Sequence, residues 1–398
     1  MHTSFKYYFL LICACFLLYS SCERKPYSTG PDIYIEDPSF KVVGYLGTGG
    51  FDRIDQLELN RLTYLNLAFA NPDSEGNLKF RQNTDIKPVV KKGHDAGLKV
   101  LVSLAGGGRP DTTAWKSVLE PANRSMFIKE ILDFVEVNNL DGVDVDIEWN
   151  LLPAIGALYN PFVIELKDAL HARGKSITTA LGISHLHEAI SQEALEAYDF
   201  INVMVYDKTG PWRPNIVGPH SPYSSAEEAI RFWLGERKIS SDRIVLGMPF
   251  YGWEFSDPVR AKIYRKIVEE NPEYAYVDQV DKLYFNGIPT IVRKTQLAKE
   301  KLNGVMFWEI AQDTVHEMSL LRAVDQTIQA GDGDVTTFYK DEDGDGFGDL
   351  TKPFQACSAP EGYVTTRGDC DDTNPRINPQ ASEKRDGIDN NCNGEIDE

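Results

Sequence analysis

Basic residues are in short supply here: 41 lysines and arginines face 60 aspartates and glutamates in 398 residues, a formal charge of −19. That balance makes nucleic acid a poor partner and repels polyanionic substrates, while a neutral or cationic substrate is admitted. Histidine and cysteine are scarce too, at seven and six residues. The closest histidines, His185 and His187, read as solvated loop residues or substrate contacts rather than a metal pair. Long apolar runs are missing apart from Tyr7 to Leu18. About a dozen residues are too few to span a bilayer as a mature helix. The run follows Lys6 and precedes Ser20 and Ser21, so residues 1–21 read as a secretory signal. Cys13 and Cys15 leave with it.

What the chain does have is a row of carboxylates. Asp141-Gly-Val-Asp144-Val-Asp146-Ile-Glu148 alternates acidic and apolar residues in the manner of a buried strand. Side chains at i, i+2 and i+4 of a strand share one face. Asp144, Asp146 and Glu148 are thus expected to point one way, and Val143, Val145 and Ile147 the other. Stacking carboxylates on a core-like strand costs desolvation and mutual repulsion. It also raises their pKa values, which lets one of them stay protonated and serve as a general acid. Glu148, last in the row and nearest the strand's C-terminal end, is the natural donor. Asp146 and Asp144 then tune its charge. A metal site is the competing use of three carboxylates, but no histidine stands within reach in this segment.

Strand-like runs recur along the chain at Lys41–Leu46, Thr63–Ala70, Lys99–Leu104, Gly142–Glu148, Ser176–Leu181, Ile201–Tyr206, Arg243–Pro249 and Gly304–Glu309. Helical stretches such as Asn123–Asn138, Asn160–Ala172, Ala226–Leu234 and Lys294–Lys301 alternate with them. The pattern predicts an α/β fold, a (β/α)8 barrel over residues 40–330. Barrel sites lie at the C-terminal strand ends. Tyr45, Phe69, Gly106, Glu148, Tyr206 and Trp308 fall at or just past such ends. Tyr45 and Phe69 read equally well as cleft wall or core. Gly106 and Gly107 let the backbone turn close to the site, and Trp212 and Trp253, on the loops after the sixth and seventh strands, are candidate stacking platforms. Between the last two strands, Tyr251 to Asn303 is short, and no added α+β domain is expected there.

The row matches the D-x-x-D-x-D-x-E motif, so the chain resembles glycoside hydrolase family 18, the chitinases and related endo-β-N-acetylglucosaminidases. Ser103-Leu-Ala-Gly106 resembles the family's S-x-G-G, with Ala105 replacing the first glycine. Met204-Val-Tyr206-Asp207 resembles M-x-Y-D, and Gly304-Val-Met-Phe-Trp308-Glu309 resembles its eighth strand. The resemblance implies retaining hydrolysis of β-1,4 bonds next to N-acetylglucosamine, without a cofactor, through the sugar's own acetamido group; the family is an exception to the two-carboxylate scheme. It implies that Glu148 protonates the leaving oxygen and then activates water. Asp146 orients the acetamido N–H, Asp144 holds Asp146 and shares its proton, and Tyr206 bonds the acetamido oxygen. Tyr45, Phe69, Gly106, Met204, Asp207 and Trp308 are the implied substrate contacts. Chitinase activity is favoured. The alternatives are an endo-β-N-acetylglucosaminidase on N-glycans and a non-catalytic chitin-binding lectin, which typically lacks the motif's glutamate.

Tyr19-Ser-Ser-Cys22 resembles a bacterial lipobox, which implies a lipidated Cys22, a tether over residues 22–39 and an exported lipoprotein at the outer membrane or cell surface. A monomer is expected. Residues 336–398 differ in kind, being strongly acidic. Asp341, Asp343, Asp345 and Asp349, and again Asp389, Asn391, Asn393 and Asp397, place oxygen ligands at alternate positions broken by glycine, as calcium loops do. Hard oxygen donors without clustered histidines or paired thiolates favour calcium over zinc or copper. With Asp369-Cys-Asp371-Asp372 these runs resemble a small extracellular metal-binding module of bacterial secreted proteins. That module usually has four cysteines, and Arg385 stands where one is expected. The expected pairing is Cys357 with Cys370, leaving Cys392 alone.

Overall fold

The structure, a computed structural model, describes residue 34 and residues 37–108, 110–183, 189–330, 336–349, 353–356 and 359–397. The leader, Cys22, most of the tether, His185, His187 and Cys357 lie outside the described residues.

Alternation on each strand decides the architecture. Eight strands, β1 (Lys41–Gly47), β2 (Tyr64–Pro72), β3 (Lys99–Ala105), β4 (Gly142–Asp146), β5 (Ser176–Leu181), β6 (Phe200–Met204), β7 (Ile244–Pro249) and β8 (Gly304–Trp308), pair in parallel with their sequence neighbours. β1 pairs with both β2 and β8, which closes the (β/α)8 barrel. Val43 and Tyr45 of β1 face inward to meet Tyr64, Leu101, Phe200, Val245 and Met306. Val42 and Leu46 face outward into the larger cluster beneath the helices. On β4, Val143 and Val145 belong to that outer cluster, so the intervening carboxylates point into the barrel.

Helices Lys87–Asp95, Arg124–Val137, Tyr159–His171, Gln192–Glu196, Tyr223–Ile230, Ile288–Lys301 and Leu320–Gln329 cover the outside. Ser191 and Ser319 start two of them by accepting the N–H of Ala194 and Arg322. Among the described residues, no helix is long and apolar enough to cross a membrane.

Two expectations for the barrel need correction. β4 ends at Asp146, so Glu148 lies in the loop beyond it, where Trp149 takes a positive φ of 42°. The segment between β7 and β8 is not a plain connection. Strands Tyr251–Glu254, Arg260–Ile263, Gln279–Val280 and Leu283–Tyr284 form a four-stranded antiparallel sheet, joined by helix Tyr264–Glu270. Strands of two to four residues fit in a span that looked too short to hold such a sheet.

Past the barrel, Thr336–Lys340 pairs with Pro353–Ala356 and Tyr363–Val364, and Gly348–Asp349 pairs with Arg367–Asp369. Phe354 and Tyr363 meet Tyr276 of the β7–β8 excursion ring to ring, at 5.3 and 5.5 Å between centroids. The expected Cys357–Cys370 bridge is replaced by Cys370–Cys392, with Cα atoms 5.6 Å apart. The turn after Asp369 folds back on the final loop, where Asn378 N–H bonds the carbonyl of Asn390, and this brings the two cysteines together.

Candidate active site

Register sets the deepest layer of the site. Ser103 of β3, Asp144 of β4 and Thr178 of β5 are aligned across three neighbouring strands. Asp144 is fully buried. Its Oδ2 accepts the hydroxyls of Ser103 at 2.6 Å and Tyr45 at 2.7 Å. Its Oδ1 accepts Thr178 Oγ1 at 2.7 Å and Asn202 Nδ2 at 3.4 Å. Burial pushes the Asp144 carboxyl up, and these four donors pull the other way. Tyr45, read as a possible cleft wall, is 1% exposed and directs its hydroxyl to Asp144, so it positions a carboxylate instead of touching a sugar.

Asp146 is the next carboxylate outward. Burial, Glu148 and Asp144 raise its pKa well above the usual carboxylate range. Its side chain bonds Glu148, and its Oδ1 is buried without a hydrogen-bond partner. Asp144 therefore acts on Asp146 here through charge, with its own hydrogen bonds going to other groups. Glu148 is pushed up to about 7, first by burial and then by the charge of Asp207; bonds from Asp146 and Trp149 pull it down. A carboxyl at this value keeps a large protonated fraction at neutral pH, as a general acid requires.

The strand ends complete the wall. Ala105 and Gly106 take φ of 72° and 83°, a left-handed turn at the end of β3. A Cβ on Gly106 would lie 2.5 Å from the Phe69 ring, and one on Gly107 2.7 Å from Glu148 Oε1. Phe69 stacks on Trp308 at 5.5 Å and 15°. Both remain partly exposed beside the inner-barrel cluster.

Met204, Tyr206 and Asp207 line a cavity of about 310 Å³ together with Glu148, Trp149 and His220. Burial and the surrounding carboxylates push the Tyr206 phenol well up, so its hydroxyl keeps its proton and can donate. Asp207 does not face the cavity as a free carboxylate. Its Oδ1 accepts Tyr251 Oη at 2.5 Å and Trp253 Nε1 at 2.9 Å. Behind it, His220 is buried and its pKa is lowered by desolvation.

Trp253, Trp212 and Trp149 then run outward, with ring centroids 5.6 and 6.0 Å apart. Trp149 and Trp212 are 50% and 41% exposed. Ser103's role, Thr178, Asn202, Trp149, Tyr251 and His220 escaped the sequence reading. The polar residues of β5 and β6 were visible as interruptions of apolar runs, and Trp149 as the residue that follows the carboxylate row.

In the C-terminal region, one oxygen each of Asp341, Asp343 and Asp345 lie within 4.8 Å of one another. Asp349 is carried off on the strand Gly348–Asp349, outside that group. The second loop repeats the first. Asp341 accepts the N–H of Asp345 and Gly346, Asp343 that of Asp345, and Asp345 that of Phe347. In the same way Asp389 accepts the N–H of Asn393 and Gly394, Asn391 that of Asn393, and Asn393 that of Glu395. Asp397 accepts Gly387 N–H and closes that loop.

Comparisons with known proteins agree with this geometry. A family model described as a metal-binding motif matches residues 369–398. The GH18 chitinase ChiB of Flavobacterium johnsoniae is 40% identical, with a TM-score of 0.70, covering 73% of this chain and 94% of that one. A chitinase structure from Bacteroides thetaiotaomicron is 26% identical, with a TM-score of 0.64, covering 74% and 98%. A chitinase-like effector of Moniliophthora roreri is 28% identical over 240 residues, 53% of this chain and 58% of that protein. Two further curated relatives are matched over 9% and 47% of their lengths. The model for glycosyl hydrolases family 18 matches residues 41–313, and the chain belongs to that family.

Proposed function

We propose that this protein is a retaining chitinase that cleaves β-1,4 bonds next to N-acetylglucosamine with the substrate's acetamido group as nucleophile. The observation that carries the reading is Glu148: a carboxyl lifted to about 7 at the mouth of the barrel, hydrogen-bonded to a second carboxyl and facing a cavity of about 310 Å³. The acetamido oxygen attacks the anomeric carbon while the glycosidic C–O bond breaks and the Glu148 proton passes to the leaving oxygen. Water then adds to the anomeric carbon of the oxazolinium ion and gives its proton to Glu148, with retention at that carbon. The buried Asp146 Oδ1 is available to the acetamido N–H, and the protonated Tyr206 hydroxyl to its oxygen. Asp207 suits a nucleophilic role poorly, because Tyr251 and Trp253 already engage its carboxylate.

Trp308 over Phe69 supports one sugar ring from below, and the Trp149–Trp212–Trp253 run, exposed at Trp149 and Trp212, supports neighbouring rings by stacking. A net charge of −19 suits a neutral polymer. Chitin oligomers and a high-mannose glycoprotein, incubated separately and followed by product mass, test the assignment. Shorter N-acetylglucosamine oligomers with the glycoprotein unchanged are expected. Release of the N-glycan alone would point to an endo-β-N-acetylglucosaminidase, and binding without cleavage to a lectin.

The leader and Cys22 support export as a lipid-anchored, cell-surface protein, tested by mass spectrometry of the mature N-terminus for acyl groups. The paired aspartate loops support calcium as the ion of the C-terminal module.

A further inference from the structure

The loop Asp341–Phe347 is curled by Gly344 and Gly346, at φ of 78° and 94°. Asp341, Asp343 and Asp345 each turn at least one oxygen onto backbone N–H groups of the loop. Their gathered oxygens number too few for calcium, which takes roughly six to eight. A second segment lies directly against this loop. Arg367–Asp369 pairs with Gly348–Asp349, Asp372 Oδ1 accepts Glu342 N–H at 2.8 Å, and Asn378 Nδ2 donates to Asp345 Oδ2 at 2.8 Å.

Asp369 stands out within that segment. It is 4% exposed; one carboxylate oxygen accepts Asp371 N–H at 2.8 Å, and Oδ2 is buried without a hydrogen-bond partner. Asp343 Oδ2 is buried in the same condition. Burial pushes the Asp369 carboxyl up to about 6, and the charges of Asp345, Asp343 and Asp372 add to it. Among the described residues, no lysine or arginine forms an ion pair with either carboxylate. A buried carboxylate oxygen without a partner, in the field of three further carboxylates, is costly without a cation.

We propose that one hard divalent cation of calcium's size is held jointly by Asp341, Asp343 and Asp345 of the loop and by Asp369 of the later segment. The site is bipartite: its first half lies outside the matched motif at residues 369–398 and its second half opens it. The cation therefore fastens the loop to the Cys370–Cys392 hairpin. The Asp389 loop, with asparagines at its third and fifth positions, carries less charge and binds more weakly. The inference rests on the reading of the module as calcium-binding and names a ligand that the later segment adds to its stronger site.

The test uses the whole mature chain, freed of metal with a chelator and titrated calorimetrically with calcium chloride, with magnesium chloride as the control. Asp341→Asn and Asp369→Asn are each expected to weaken the tighter site tenfold or more, and the double variant to lose little further. A thermal readout separates ligation from a merely structural role. In chelator, Asp369→Asn removes a buried uncompensated charge and should melt no lower than the wild type, while its calcium-induced rise in melting temperature shrinks. Unchanged affinity in Asp369→Asn with loss in Asp341→Asn would overturn the shared site and leave the calcium reading of the loop intact. No calcium heat from the wild type would overturn both.

Discussion

A Cβ placed on Gly107 would come within 2.7 Å of Glu148 Oε1. The loop after β3 thus packs directly on the acid, with no room for a side chain. Gly107 does not require a left-handed conformation, so an alanine there is tolerated by the backbone. The contact falls on the far end of a flexible side chain, which can swing away. Gly107→Ala is expected to fold and melt close to the wild type while kcat falls tenfold or more, because a displaced acid loses its alignment. Unchanged kcat would show that the Glu148 position seen here is not the working one.

Asp207 raises the Glu148 pKa through its charge, second only to burial. The acid must be protonated to work, so activity is lost as pH rises through its pKa of about 7. Removing the charge in Asp207→Asn lowers that pKa, and the alkaline limb of the kcat/KM profile moves to lower pH. A limb that stays in place, or moves up, would contradict the electrostatic role.

Tyr45→Phe tests the innermost layer. It leaves Asp144 Oδ2 with Ser103 as its one remaining hydroxyl donor. A buried acceptor deprived of a partner costs about 1–3 kcal/mol. Urea denaturation should show a loss of that size. An unchanged midpoint would mean that Tyr45 is simple packing.

Glu148→Gln keeps the shape of the acid and removes its proton chemistry. Turnover of N-acetylglucosamine oligomers should fall by about 10²- to 10⁴-fold, while tryptophan fluorescence still reports their binding through Trp149 and Trp212. Near-normal turnover would remove Glu148 from the mechanism.

The carboxylate row and the barrel strands were legible because both are local patterns. Val143 and Val145 against Asp144 and Asp146 needed only a period of two. Other features depend on what the fold brings together. Ser103, Thr178 and Asn202 reach Asp144 through the register of four strands, which no single segment reveals. The sheet between β7 and β8 has strands as short as Gln279–Val280, which leave no alternation to read. It delivers Tyr251 and Trp253 to Asp207, a contact across 44 and 46 residues. The Cys370–Cys392 bridge likewise follows from the return of the chain on itself, where the resemblance to a four-cysteine module implied Cys357. Glu148 was placed at the right end of its strand but counted as part of it, because apolar Ile147 continues the alternation past the last ladder pair.

The most direct test of the acetamido mechanism is the anomeric form of the first product. Proton NMR of an N-acetylglucosamine oligomer, recorded before mutarotation sets in, should show the β-anomer at the new reducing end. Oligomers of glucose, which lack the 2-acetamido group, should remain uncut under the same conditions. An α-anomer appearing first would contradict retention by the substrate's own nucleophile.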